Sequence, residues 1–278
     1  MKNVVIIGSG PAGISTGIYL TRAGIENVVI SNNKGSLMKA SKIENYYGFE
    51  EPISGDELHN KGLQQYINLG GKIIEDEIVS LSFEEKFKII GVNGSYDADF
   101  IVIATGTSRL LPTIKGLEEG PGVSYCAICD GFFYRKKDVV VLGNGNFAKH
   151  EAENLIQIAN SVTVLTNGKP TNIEGLNINN KKIKEIVKNE SFEITFEDET
   201  SIICEGIFIA EGIAGATALA KKIGIRIEEN KIIVDENKKT ILPGIYAVGD
   251  CTGGLLQISK AVYDGAVAAM SIIKEIKK

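Results

Sequence analysis

Val4-Val5-Ile6-Ile7-Gly8-Ser9-Gly10-Pro11-Ala12-Gly13 is the stretch that decides the fold. Val4 to Ile7 is a short apolar run of β-branched residues, as expected of a strand buried on both faces of a parallel sheet. Glycines at 8, 10 and 13 follow at once, and a helical pattern then runs to about Arg22. This order of strand, glycine turn and helix lets backbone approach a pyrophosphate. The phosphate then sits at the helix N-terminus, where unpaired N–H groups and the helix dipole favour negative charge. The second strand of this dinucleotide-binding unit is Asn27 to Ser31. An acidic residue at its end would hold a ribose hydroxyl, but Ser31-Asn32-Asn33 stands there instead.

Farther along, Ser54-Gly55-Asp56-Glu57 reads as a capping box that opens a helix to about Leu69, with Leu58, Leu63 and Ile67 on its buried face. Lys72 to Val79 and Phe87 to Val92 read as strands, with a turn at Asn93-Gly94. Phe100 to Ala104 is another buried strand, and its end, Ala104-Thr105-Gly106, lets backbone come close to a flavin or its diphosphate. Leu111 to Gly122, rich in Gly and Pro, reads as a linker. After it comes Cys126-Ala127-Ile128-Cys129-Asp130. Asp138 to Leu142 is then a second apolar strand, followed by Gly143-Asn144-Gly145-Asn146-Phe147-Ala148, a helix to about Ala159 and a strand from Val162 to Leu165. This repeats the dinucleotide-binding half in weaker form. Residues 167–189 are polar and rich in Asn and Lys. Ser191 to Phe196 and Ile202 to Ala210 read as strands, and Leu242 to Asp250 as a strand ending in Gly-Asp. The last helix starts near Gln257 and carries small residues suited to close packing.

Composition narrows the function. The chain has 278 residues, is 44% hydrophobic and carries a formal charge of −5. With a pI near 5.3, it lacks the basic surface of a nucleic-acid binder. No apolar run is long enough to span a membrane. The N-terminus enters a strand directly, without the apolar region and cleavage site of a signal peptide, so a cytoplasmic protein is expected. Of the four cysteines, 126, 129, 204 and 251, only the first two are close in sequence. In a chain this large that is not a structural disulfide framework. A CxxC can be half of a zinc site, but a second ligand pair is missing and His59 and His150 lack ligand spacing. Cys204 and Cys251 read as buried bystanders. A close thiol pair between two dinucleotide-binding units points to electrons passing from a bound flavin to a disulfide.

Over nearly its whole length the chain resembles the low-molecular-weight flavoprotein thioredoxin reductases. The residues that carry the resemblance are Gly8 to Gly13, Glu44-Asn45 with Gly48-Phe49, Ile53-Ser54-Gly55, Ala104-Thr105-Gly106, Gly122 to Arg135 around the cysteines, and Ala247-Val248-Gly249-Asp250. The resemblance implies an α/β fold of two Rossmann-like, three-layer dinucleotide-binding domains, the second inserted into the first. A discontinuous FAD domain would span 1–112 and 244–278, and a central CxxC domain 113–243. It further implies that FAD is held by Gly8, Gly10, Pro11, Ala12, Gly13, Gly35, Ser36, Leu37, Asn45, Ile78, Ala104, Thr105, Gly106, Gly249 and Asp250, with Gln257 and Ile258 facing the flavin ring. Cys126 and Cys129 would form the redox disulfide, with Asp130 as the acid/base at the thiolate. Cys129 would lie nearer the flavin, leaving Cys126 to attack thioredoxin. The family also implies a homodimer.

Four departures from the family fall on the nicotinamide side. Asn144, Asn146 and Phe147 replace a Gly, an Asp and a small Ser-like residue in the second glycine turn, where a phenylalanine is expected to crowd a pyrophosphate. Thr166-Asn167-Gly168-Lys169-Pro170 replaces the His-Arg-Arg run that pairs with the 2′-phosphate of NADPH. Gly212-Ile213-Ala214-Gly215-Ala216-Thr217 replaces a Gly-His-x-Pro-Asn-Thr run, and the central domain is short. Leu256 also stands where an Arg often precedes Gln257. Only four of the 30 basic residues are arginine, so a lysine-rich composition accounts for part of this, with Lys169 as substitute. One lysine does not reproduce a bidentate Arg–phosphate fork, and composition does not explain Phe147.

The chain is most similar to the pyridine-nucleotide-independent branch of the family, the ferredoxin-dependent flavin thioredoxin reductases. That implies reduced ferredoxin as donor and thioredoxin as acceptor. Ferredoxins near about −400 mV and thioredoxin near about −270 mV leave roughly 130 mV, about 6 kcal/mol downhill for two electrons. Lys136-Lys137 and Lys181-Lys182 are stretches that could attract an acidic partner, although such runs are usually solvated surface. Two alternatives remain open: an NAD(P)H-dependent enzyme with an atypical site, and a non-catalytic thiol redox sensor or binding protein.

Overall fold

β1 (Val4–Ile7) has all four side chains buried, each contributing about 1.5–3 kcal/mol by leaving water. The structure is a computed structural model and describes residues 2–32, 35–106, 111–125, 127–212, 215–229 and 231–277, with the backbone alone at Lys39 and Cys129. The chain divides into two compact units, Met1–Ser108 with Gly215–Lys278, and Arg109–Ala214. In the first unit β1 leads into α1 (Pro11–Arg22) and β2 (Asn27–Ile30), then a 3-10 turn at Ser36–Lys39. α2 (Gly55–Asn68) starts as the capping box requires, the Glu57 N–H donating to Ser54 Oγ at 3.1 Å. Its buried face differs from expectation: His59 and Tyr66 are buried and Leu58 and Leu63 half-buried, while Ile67 is 46% exposed. Tyr66 decides the rotation of the helix. Its hydroxyl donates to Asn27 Oδ1 at 2.8 Å, so the ring is buried with its polar end satisfied.

Residues 72–79 form two strands, not one: β3 (Lys72–Ile74) and β4 (Ile78–Phe83). Between them Asp76 is buried. It accepts from the N–H groups of Glu77 (2.8 Å) and Asn93 (3.1 Å) and from the Tyr96 hydroxyl (2.7 Å), which turns the chain out of one sheet into another. β4 pairs with β5 (Phe87–Gly91), and β5 with β6 (Ser95–Ala98), in an antiparallel layer. β7 (Phe100–Ile103) then returns beside β1, in parallel.

The second unit repeats this plan. β8 (Val123–Ser124) precedes α3 (Ala127–Asp130), a 3-10 turn at Gly131–Tyr134, β9 (Asp138–Leu142), α4 (Asn146–Ile156) and β10 (Ser161–Leu165). The polar stretch 167–189 contains β11 (Asn177–Asn179) and β12 (Ile183–Lys188), followed by β13 (Phe192–Phe196). Residues 202–210 split at Glu205 into β14 (Ser201–Cys204) and β15 (Gly206–Ile209), which lie in different sheets. The parallel sheet runs β11-β10-β9-β15-β8, with β12-β13-β14 as an antiparallel layer. The expected linker is part of this unit. Leu117 is in its core, the Ile186 N–H donates to Lys115 O at 2.9 Å, and Lys115 pairs with Glu185 at 2.5 Å.

α5 (Ala216–Lys222), the hairpin β16 (Ile227–Glu228) and β17 (Lys231–Ile232), β18 (Ile245–Ala247) and α6 (Ile258–Ile276) complete the first unit. The return therefore begins at Gly215 and not at 244: Lys222 Nζ donates to Val79 O at 2.8 Å, tying α5 to β4. The first sheet is parallel, in order β18-β7-β1-β2-β3. Each unit thus centres on the same three-strand core, β7-β1-β2 and β15-β9-β10, the layout of a dinucleotide-binding half. Among the described residues no helix is long and apolar enough to cross a membrane.

Candidate functional site

In the first unit the glycine turn is in backbone contact with its neighbours. A Cβ on Gly8 would meet the Ala104 carbonyl oxygen at 2.5 Å, and one on Gly13 would meet Gly8 O at 2.0 Å. The Gly8 N–H donates to Ile30 O and the Ala104 N–H to Ile7 O, each at 2.8 Å, so β1, β2 and the end of β7 converge on the turn. α1 starts at Gly10 with no side-chain cap, Pro11 in its first turn and no acid there. A Cβ at Gly10 would meet nothing within 4 Å. The helix end is therefore open to an anion from outside the chain. Thr105 Oγ1, beside the turn, is buried without a hydrogen-bond partner among the described residues, a cost that a bound ligand would remove. An open helix N-terminus, a tight backbone cradle and an orphaned hydroxyl together fit the pyrophosphate of a dinucleotide such as FAD.

The surrounding expected residues fall as follows. Ala12 and Ala104 are buried and Gly106 half-buried. The segment with Gly35, Ser36 and Leu37 leads to α2, where the Gly55 N–H donates to Ala40 O at 2.7 Å. Asn45 and Gln257, 212 residues apart, meet: Asn45 Nδ2 donates to Gln257 Oε1 at 3.0 Å. Ile258 opens α6, whose N-cap is Gln257. Ile78 is buried at the head of β4, in the antiparallel layer. No acid ends β2. Ser31 Oγ instead accepts from Ser9 Oγ at 3.1 Å, and the carboxylate at that corner is Glu77, which accepts from Asn32 Nδ2 at 3.2 Å. No sequence signal pointed to Glu77.

Gly249 and Asp250 sit in a 3-10 turn, Gly249–Thr252, held by a group that sequence reading missed. Asp264 on α6 is fully buried, and Lys238 and Lys260 each place Nζ at 2.8 Å from one of its oxygens. Asp264 Oδ2 accepts the Gly249 N–H at 3.1 Å, and Lys260 Nζ donates to Gly249 O at 2.7 Å and Thr252 Oγ1 at 2.8 Å. Burial alone would push the Asp264 carboxyl up, but its hydrogen bonds and charge pairing with the two lysines hold it below the usual carboxylate range. Asp250 is raised, chiefly by burial, with Lys260 opposing. α6 itself lies against α1, Ser15 Oγ donating to Val262 O at 2.8 Å.

In the second unit Cys126 and the side chain of Cys129 lie outside the described residues. Their neighbours are described. Asp130 Oδ2 accepts from the buried Ser124 Oγ at 2.7 Å, which fixes the carboxylate at the end of α3. The Ala127 N–H donates to Glu151 Oε2 at 2.6 Å. Ile128, Phe132 and Phe133 are more than half exposed, Phe133 by 69%. They form an apolar rim on the CxxC segment, a feature typical of protein-binding surfaces. Neither other cysteine competes: burial pushes the thiols of Cys204 and Cys251 up to about 12.

The second glycine turn keeps the geometry of the first. A Cβ on Gly143 would meet Ala210 O at 2.2 Å, and the Gly143 N–H donates to Leu165 O at 3.0 Å. What differs is the segment after β10. Asn144 Nδ2 donates to Pro170 O at 2.8 Å, Thr171 Oγ1 donates back to Asn144 O at 2.9 Å, and Lys169 is paired with Glu211 at 2.8 Å. Pro170 and Thr171 thus strap the turn, and Lys169 beside them is engaged by Glu211. Phe147, expected to crowd a pyrophosphate here, is buried. The Lys181-Lys182 run is not a free basic patch: Lys181 pairs with Asp198 at 2.7 Å and Lys182 with Glu197 at 2.6 Å.

Comparison with known proteins agrees over the whole chain. A family model described as pyridine nucleotide-disulphide oxidoreductase matches residues 2–265. The thioredoxin reductase of Rickettsia prowazekii is 34% identical, over 99% of this chain and 98% of that one. Among solved structures, the atypical thioredoxin reductase of Desulfovibrio vulgaris Hildenborough superposes with a TM-score of 0.92 at 37% identity, covering 99% of both chains. A ferredoxin-flavin thioredoxin reductase of Clostridium acetobutylicum superposes with a TM-score of 0.73 at 28% identity, covering 99% of this chain and 98% of that one.

Proposed function

The chain belongs to the thioredoxin reductase family of pyridine nucleotide-disulphide oxidoreductases, and from that premise we propose that it is an FAD enzyme that reduces thioredoxin with electrons from reduced ferredoxin. The observation that carries the choice of donor is the strap. Asn144, Lys169 and Thr171 make their hydrogen bonds to one another's loop and to Glu211, contacts that a nicotinamide nucleotide would have to displace. The structural likeness to a ferredoxin-flavin thioredoxin reductase supports the same choice.

The first unit's glycine turn, Thr105 and the Asp250 turn would hold FAD, which when bound supplies a carrier between one-electron and two-electron chemistry. The chain's own thiols do the rest. The Cys126 thiolate attacks a sulfur of the thioredoxin disulfide, forming a mixed disulfide and releasing one thioredoxin thiolate, which takes a proton. Cys129 then attacks Cys126, closing the Cys126–Cys129 disulfide and releasing the second thioredoxin thiol. Asp130, held by Ser124, would give and take the proton at these thiolates. Ile128, Phe132 and Phe133 would meet the protein substrate.

One observation favours a nicotinamide nucleotide instead: α4 starts at Gly145 without a side-chain cap, above a turn as tight as the first. Calorimetric titration separates the two readings. With ferredoxin as donor, NADPH and NADH bind the oxidised holoprotein no more tightly than about 1 mM. Micromolar binding of either would select the second reading.

A further inference from the structure

We infer that Lys260 is a positioning residue for Asp250: it ties the Gly249–Thr252 turn to the start of α6 and supplies the cation for a carboxylate that has no hydrogen bond among the described residues, so that Asp250 is offered to a hydroxyl of FAD. This rests on the reading above, in which the Asp250 turn is part of the FAD site.

Lys260 stands at the third position of α6, a helix with no acid in its first turn. A cation there opposes the helix dipole, which favours negative charge at that end, so helix stability does not account for it. Its Nζ is engaged in the turn instead, with Gly249 O at 2.7 Å, Thr252 Oγ1 at 2.8 Å and Asp264 Oδ2 at 2.8 Å. Thr252 Oγ1 itself donates to Gly249 O at 2.8 Å, and the Gly249 N–H goes to Asp264. The turn is thereby closed on itself and fastened to α6. The charges of this set do not balance. Lys238 and Lys260, each only 17% exposed, share the single buried Asp264, which leaves one cation over, and a cation so far out of water needs a counter-charge. Asp250 is the acid within electrostatic reach of Lys260. It is half-buried, and its environment is burial, the Lys260 cation and the Asp264 anion, with no hydrogen bond to its carboxylate among the described residues. An ionised carboxylate of that kind keeps its acceptor sites for hydroxyl groups brought by a ligand.

The other charged or titratable groups on the elements packed against the turn are Asp264 on α6, Lys238 paired with it, Lys231 on β17, which lies against Gly253 and pairs with Glu229 at 3.3 Å, and the buried Cys251 of the turn itself. α1, which meets the turn through Ala12, brings no charge in its first turn. Lys260→Gln leaves all of these in place, keeps a donor toward Gly249 O and removes the charge, whereas Lys260→Arg keeps the charge. The holoprotein is diluted at a series of pH values, and released FAD is read by its fluorescence. Without the lysine charge Asp250 takes up its proton at higher pH and becomes a weaker acceptor there. Between pH 8 and pH 5 the ratio of the Lys260→Gln dissociation constant to that of wild type is therefore expected to grow about tenfold, the scale of one partly screened charge pair. Lys260→Arg should give a flat ratio. So should Lys260→Gln in an Asp250→Asn background, which a merely structural tie does not predict. Lys260→Met, with neither donor nor charge, should show the same growth on top of weaker binding at pH 8. A ratio that is flat with pH in Lys260→Gln or Lys260→Met, or a growth that persists in the Asp250→Asn background, overturns the inference and leaves the proposed function standing. Wild-type protein that binds no FAD overturns both.

Discussion

Asp264 lies wholly inside the first unit, with Lys238 and Lys260 on its two oxygens and the Gly249 N–H as a third partner. Removing one member of such a buried set leaves uncompensated charge and costs about 3–5 kcal/mol. Asp264→Asn is expected to lose that much in urea unfolding at pH 7. The sign with pH follows from the depressed carboxyl. Its contribution is fully present above the ordinary aspartate value, about 3.9, and is lost as pH falls through the lower folded value. The gap between variant and wild type should therefore narrow below pH ~4, and a constant gap would mean the effect is packing alone. At the cysteines the expectation is sharper. Cys129→Ser should keep FAD, because its cradle lies in the other unit, and should lose thioredoxin turnover, because the mixed disulfide at Cys126 can no longer be resolved. Steady turnover by that variant would remove the pair from the mechanism.

Among the elements, β1, its glycine turn and α1 depend most strictly on their sequence. Gly13→Ala would drive a methyl group to 2.0 Å from Gly8 O, which rigid backbone on both sides cannot relieve. A loss of at least about 1–3 kcal/mol and of FAD retention on gel filtration is expected, and wild-type FAD content would show that the turn is not the cradle. These elements were legible because their signals are local: four β-branched residues, three glycines and a helix start within ten positions. The elements that were misread share another cause. Residues 72–79 and 202–210 each look like one apolar strand, yet Asp76 and Glu205 divide them between two sheets. The buried face of α2 follows from Tyr66 meeting Asn27, a contact 39 residues long. Asp264 and Glu151 escaped notice for the same reason. A buried acid is defined by its distant partners, and one sequence shows none of them.

Taken whole, the chain sets two copies of one architecture to different uses. The first copy keeps an open helix end, an orphaned hydroxyl and a braced Gly-Asp turn. The second keeps the tight glycine turn but straps it with Pro170, Thr171 and the Lys169–Glu211 pair, and uses α4 to carry the cysteine helix. The departures at Asn144 and Lys169 were readable as losses from the sequence. That they are engaged in a substitute contact was not, because Glu211 is 42 residues from Lys169. The central claim is that electrons enter from a protein donor. The most direct measurement is anaerobic: mix the oxidised holoprotein separately with reduced ferredoxin, NADPH and NADH, follow bleaching of the flavin band, and then assay thiols in added thioredoxin. The account predicts rapid bleaching and thioredoxin reduction with ferredoxin alone. Rapid bleaching by stoichiometric NADPH or NADH, with thioredoxin thiols appearing in step, would contradict it.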